Sequence, residues 1–202
     1  MKRILLIGTL DTKGNELFFM KELVEQMGHQ PLVIDIGIVR PPTFAPDITR
    51  EEVLREIGKD LEDLISLNNE YQATKIMSTA LAPLVKRLWE EGAIDAVVAI
   101  GGGQGSQMSA PALRQLPIGF PKILVSTKAV QAGIRTYIGS SKDVMIIPPV
   151  CDIAGLNRIT RKVLANAVGA AVGMLSLPTL PDVQGPLVVM RMMGLTSDEP
   201  MR

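Results

Sequence analysis

An aliphatic strand pattern, Ile94 to Ile100, runs directly into Gly101-Gly102-Gly103-Gln104-Gly105-Ser106, and a helical pattern follows over Ser106 to Leu116. Strand, glycine turn and helix form the arrangement in which backbone N–H groups can closely approach phosphate oxygens. The helix N-terminus adds a favourable partial charge there. The run is not a P-loop, because no Gly-Lys-Ser/Thr closes it, and it lacks the third glycine placement of the dinucleotide fingerprint. A ligand-free tight turn would use the same residues, but the strand–turn–helix context weighs against that reading.

The same alternation recurs along the chain. Ile4–Gly8 is a short apolar run suited to a strand buried on both faces. Leu17, Phe18, Met20, Leu23, Val24 and Met27 follow at helical spacing, and Gly28 ends that helix. Pro31–Ile36 reads as a second strand, Lys122–Ser126 as a fourth and Val144–Ile147 as a fifth, with a short strand at Thr136–Ile138 between the last two. Gly37 to Thr49 holds three prolines and no periodicity, so it is a long loop of the kind that usually has a function. Thr49 can cap the next helix, and helical patterning then runs to Glu91-Gly92 with a break near Asn68-Asn69. Leu156 to Leu177 is a helix so apolar from Val163 onward that it calls for cover on more than one face, either centrally or at a subunit contact.

These elements predict an α/β domain over residues 1–177: a doubly wound, mainly parallel, Rossmann-like sheet with helices on both faces. Residues 178–202 read as a proline-punctuated linker and the start of a truncated second α/β domain. In such sheets ligands bind beyond the carboxyl ends of the strands, at a topological switch point. That rule gathers Thr9–Lys13, Gly37–Arg40, Gly101–Ser106, Ser126-Thr127 and Pro148–Asp152 on one rim.

Composition narrows the classes. Lys plus Arg and Asp plus Glu number 21 each and aromatics are only 3%, so neither a basic field nor stacking platforms exist for nucleic acid. No apolar stretch reaches the ~20 residues of a membrane span. The single Cys151 cannot form an internal disulfide, suits a cytoplasmic location, and reads as a buried structural residue. The lone His29, an exposed helix-end residue in this reading, cannot anchor a histidine-rich zinc site or serve Cys151 as a base.

On the rim, Thr9, Asp11, Thr12 and Lys13 offer hydroxyls, a carboxylate and an ammonium to a metal, ribose or phosphate. Ordinary capping of the first helix by Asp11 or Thr12 is the competing account. Ser106 can add a hydroxyl contact, and Ser126 and Thr127 end a strand at the same rim. Asp152 and Asn157 flank the last helix, where Asp152 can equally act as a cap.

Gly8-Thr9-Leu10-Asp11-Thr12-Lys13-Gly14, the glycine run, Leu116–Lys122, Val125-Ser126-Thr127 and Cys151–Asn157 together resemble the Tm-one-like ATP-binding family from about residue 3 to residue 177. The resemblance implies an ATP-binding domain followed by a second α/β domain. By motif position it points to Thr9, Asp11, Thr12 and Lys13, to Gly101, Gly102, Gly103, Gln104, Gly105 and Ser106, and to Ser126 and Thr127. Three readings are expected to compete. The first is a binding module for ATP with accompanying Mg²⁺. The second is a nucleotide hydrolase or phosphotransferase completed by a second domain or chain. The third is a homo-oligomeric scaffold built on the last helix.

Overall fold

The computed structural model describes residues 1–130, 138–139 and 142–178. Five strands form one parallel sheet: β1 (Arg3–Gly8), β2 (Gln30–Asp35), β3 (Ala96–Gly101), β4 (Lys122–Ser126) and β5 (Met145–Ile147), ordered β2-β1-β3-β4-β5. The helices are α1 (Leu10–Gln26), α2 (Arg50–Arg55), α3 (Leu61–Ile65), α4 (Glu70–Glu90), α5 (Gly103–Gln115) and α6 (Arg158–Leu175).

Strand residues alternate between two cores, as a period of two requires. Leu5, Ile7, Val97, Ala99 and Leu124 face the layer of α2, α3, α4 and α5. Ile4, Leu6, Val98, Ile100, Ile123 and Val125 face α1 and α6. Covering both faces explains why the strands read as unbroken apolar runs. The doubly wound expectation is therefore met, with these five strands and most helices close to where the pattern puts them.

The differences are local. The helical stretch after Thr49 breaks twice, because Gly58 adopts a positive φ of 66° and Asp60 then caps α3. Thr49 caps α2 as expected, in a reciprocal box with Glu52. Pro111 lies well inside α5 and has no N–H for the carbonyl four residues back. The Ser78 hydroxyl of α4 donates to that carbonyl, on Gln107, at 3.3 Å. Helix α6 buries one face, through Leu164, Ala167, Val168 and Ala171, while Arg161, Lys162 and Asn166 are exposed. Its apolar composition is made up of small residues and half-buried flanks. The expected strand at Thr136–Ile138 and the linker with its second-domain start over 178–202 fall largely outside the described residues.

Candidate functional site

The chain leaves β1 toward β2 and leaves β3 toward β4, so the winding reverses between the neighbouring strands β1 and β3. A cleft of about 380 Å³ opens at that point, beyond the strands' carboxyl ends. Thr9, Asp11, Thr12 and Lys13 line one side of it, and Gly102, Gly103, Gln104 and Gly105 line the other, with Met108 behind them. Ile38 and Val39 enter from the loop after β2, and Lys128 enters from beyond β4.

The glycines are needed where backbone meets backbone. A Cβ on Gly101 would stand 2.7 Å from the Gly105 Cα and carbonyl carbon, so no side chain fits between the strand and the helix that follows. Helix α5 begins at Gly103, three residues earlier than the sequence suggests, so Gly103 to Gly105 are its first turn. This places Ser106 inside the helix, fully buried, with its Oγ 2.6 Å from the Ser126 Oγ. Ser126 is equally buried and accepts the Lys128 N–H at 3.0 Å. Neither Ser106 nor Ser126, both expected at the ligand, lines the cleft: the two hydroxyls tie α5 to β4 beneath the corner. Gly101 is buried there too, and Thr127 sits half-buried beside Gly102 without lining the cleft.

Capping separates the helices into two groups. Helices α2, α3, α4 and α6 begin with side-chain caps, from Thr49, Asp60, Asn69 and Asn157. Helices α1 and α5 begin at Thr9 and Gly102 with no side-chain cap bond, and both begin at the cleft. In α5 the first-turn N–H groups have no intrahelical acceptor and carry the positive end of the helix dipole, whereas in α1 the Leu10 N–H donates to the Asp35 carboxylate and the Thr12 N–H to the Thr9 carbonyl. Asp11 does not cap α1. Its Oδ2 accepts the N–H groups of Val39 and Arg40 at 3.0 and 3.2 Å, pinning the loop after β2. The Thr9 and Thr12 hydroxyls bond each other at 2.7 Å.

Two ammonium groups flank the cleft. Lys13 departs from helical geometry (φ −127°, ψ 20°) at the kink in α1. The Lys128 Cε lies 3.2 Å from where a Cβ on Gly103 would stand, so its side chain crosses the start of α5. Sequence reasoning missed Lys128. Its only signal is position, two residues beyond the end of β4 on the same rim.

The long loop is a built wall. Ile48 forms a bridge beside Ile34, and Asp47 accepts the Val33 N–H at 2.7 Å. Thr43 donates to the Leu10 carbonyl, and its Oγ1 occupies the space a Cβ on Gly14 would need, 1.7 Å away. Below the wall, the buried Asp35 accepts N–H groups from Leu10 and Gly37 through Oδ1, at 2.9 and 2.8 Å, while its Oδ2 has no partner. Burial pushes the Asp35 carboxyl above its ordinary range, against the two N–H donors and the nearby Arg50.

Other singled-out residues lie elsewhere. Pro148–Asp152 do not line the cleft, although they end β5 at the sheet edge. Cys151 is half-buried, not buried, and lies 3.6 Å from Asn157 Nδ2. Asn157 caps α6, and Asp152 does not. His29 is half-buried, 3.4 Å from the Lys2 N–H through Nδ1. The Leu116–Lys122 motif is a structural latch. Buried Lys122 donates to the carbonyls of Pro117 and Phe120 and pairs with Asp143 at 2.8 Å, which in turn accepts the Gly119 N–H. Among the described residues no group of three or more His, Cys, Asp or Glu could hold a metal ion, and no helix is long and apolar enough to cross a membrane.

The sequence pattern of the N-terminal domain of an uncharacterised protein family, UPF0261, matches residues 2–179. A UPF0261 protein of Clostridium tetani is 38% identical over 198 residues, covering 97% of this chain and 48% of that protein. A UPF0261 protein of Rhizobium meliloti is 36% identical over 197 residues, with 98% and 48% covered. The tomato protein described as ToMV susceptible protein tm-1(GCR26), from Solanum lycopersicum, is 32% identical over 191 residues, which is 85% of this chain and 24% of that protein. The chain spans about half the length of the bacterial relatives it matches.

Proposed function

The chain belongs to the UPF0261 family, whose N-terminal domain it carries, and on that premise we propose that it binds a nucleotide, ATP, with the phosphates at the α5 N-terminus. The observation that carries this reading is the start of α5, which has no side-chain cap and opens on a cleft flanked by Lys13 and Lys128. A capping side chain supplies one oxygen to first-turn N–H groups. Phosphate oxygens supply several, and the helix dipole favours their charge. The two lysines act as point cations on the same group.

Mg²⁺ enters as a companion of the phosphates. Among the described residues Asp11 is the one carboxylate lining the cleft, and its Oδ2 already accepts two N–H groups. Mg²⁺ commonly keeps several waters and takes one or two carboxylates with phosphate oxygens, so this donor set fits such a role and no dedicated protein cage. The bacterial relatives are about twice as long as the stretch they share with this chain. A hydrolase or phosphotransferase reading would need a further domain of the whole protein to close over the cleft.

Isothermal titration of the chain with ATP, with and without Mg²⁺, tests the proposal. Saturable binding that is lost in Gly103→Val, which crowds Lys128 and covers the α5 start, is the expected result. Undiminished affinity in that variant overturns the phosphate position.

A further inference from the structure

A second cleft, of about 500 Å³, adjoins the first and shares Ile38, Val39 and Gln104 with it. Its size is within the range of small-molecule sites. Two aliphatic walls define it: Ile38 and Val39 on the loop side, and Leu64, Ile65 and Ala73 on the α3–α4 side. Val39 is 74% exposed and Ile65 59% exposed, although each stands over a slot with a buried floor at Leu64 and Ala73. Solvent-exposed aliphatic groups on both sides of a slot gain most when a flat apolar body excludes water between them.

The edge of the slot is polar. Asn68, Asn69, Glu70 and Gln104 surround it. Asn69 uses its Oδ1 to cap α4 through the Gln72 N–H, at 3.0 Å, so its NH₂ group can donate outward. Asn68 holds a positive φ of 44° at the corner between α3 and α4, a conformation uncommon for a residue other than glycine. An aliphatic slot with both donors and acceptors along one edge suits a planar ring that is apolar on its faces and hydrogen-bonding on its rim. A lipid chain would leave the edge groups without partners.

We infer that this cleft takes the heteroaromatic base of the nucleotide, with the ring between Val39 and Ile65 and Gln104 marking the passage from base to phosphates. The inference rests on the phosphate reading above. Gln104 belongs to the first turn of α5, so the two subsites share one residue and one ligand spans them.

The test compares ATP with inorganic tripolyphosphate, titrated into the wild-type chain and into Ile65→Ser and Val39→Ser. Both substitutions are neutral, so phosphate is not repelled, and both sites are exposed, so the fold is kept; thermal unfolding verifies this. Wild type is expected to bind ATP at least about tenfold more tightly than tripolyphosphate. Each variant is expected to lose most of that advantage, and Ile65→Ser, which lies outside the phosphate cleft, is expected to keep its tripolyphosphate affinity unchanged. Equal affinity for the two ligands in wild type, or an undiminished ATP advantage in both variants, overturns the base site and leaves the phosphate reading standing. Absence of tripolyphosphate and ATP binding in wild type overturns the phosphate reading, and the base site with it.

Discussion

The hydroxyls of Ser106 and Ser126 stand 2.6 Å apart in the protein interior, joining α5 just past its first turn to the last residue of β4. Ser126 also accepts the Lys128 N–H, so one side chain fixes both the glycine corner and the base of the lysine that crosses it. Ser126→Ala removes both contacts. It should lower stability by about 1–2 kcal/mol, read as a shift of the urea midpoint with an unchanged slope.

Lys128 provides the most direct probe of the proposed phosphate site. Lys128→Ala should weaken ATP binding by about tenfold and make the remaining affinity less sensitive to salt, because one screened charge contact is gone. Titrations at low and high ionic strength separate this from a packing effect, which would leave the salt dependence unchanged.

Gly14→Ala should destabilise the protein by about 1–3 kcal/mol, since the new methyl meets the Thr43 Oγ1 at 1.7 Å and displaces the loop wall. Thr43→Ala in the same background should restore part of the loss. The Thr43 Cβ, 3.0 Å from the added methyl, prevents full recovery. A double-mutant cycle by denaturant unfolding measures the coupling.

Asp35 predicts a pH dependence of definite sign. Its carboxyl titrates above its ordinary value of 3.8, chiefly because burial disfavours the charge. The associated stability is fully present below that ordinary value and is lost as pH rises through the folded-state value. Asp35→Asn keeps one accepting oxygen for Leu10 and Gly37 and should flatten this dependence. Asp35→Ala strands both N–H groups and should cost about 1–3 kcal/mol at every pH. Unfolding midpoints across pH 3 to 8 (roughly the range where a buried carboxyl titrates) distinguish the three proteins.

Asp143 carries the opposite sign. Burial raises its carboxyl, but the Lys122 ammonium and the Gly119 N–H outweigh that and hold it below 3.8. Its contribution is therefore present above the ordinary carboxylate value and lost as pH falls through the folded-state value. Lys122→Met leaves the carbonyls of Pro117 and Phe120 without their ammonium donor. It should cost about 2–3 kcal/mol and remove the Asp143 share of acid sensitivity.

The sheet was readable because a strand covered on both faces has little choice but to be aliphatic, as Ile4 to Ile7 and Val97 to Ile100 are. The glycine corner was readable because Gly101 has no room for a Cβ. The start of α5 was not, since glycines in a helical first turn look like a loop. Ser106 was consequently placed on the rim when it lies beneath it. Lys128 reaches the cleft through tertiary packing, signalled only by its place beyond β4, whereas Ile38 and Val39 lie in the segment that the strand-end rule already puts on the rim. Gly37–Arg40 could be placed on the rim, but the grip of Asp11 on that segment depends on contacts 28 and 29 residues apart in sequence.

The cleft inherits its width from the pairing of β1 with β3. Neighbouring strands stand about 4.8 Å apart, and each delivers its following helix start to the same edge of the sheet. Substitutions in the flanking loops can change the charge, polarity and roof of the cleft. The separation of its two amide-bearing ends is set by the hydrogen-bond ladder and works as a fixed ruler. Divergent members of the family that keep this strand pairing would then differ in what they grip, while gripping it across the same span.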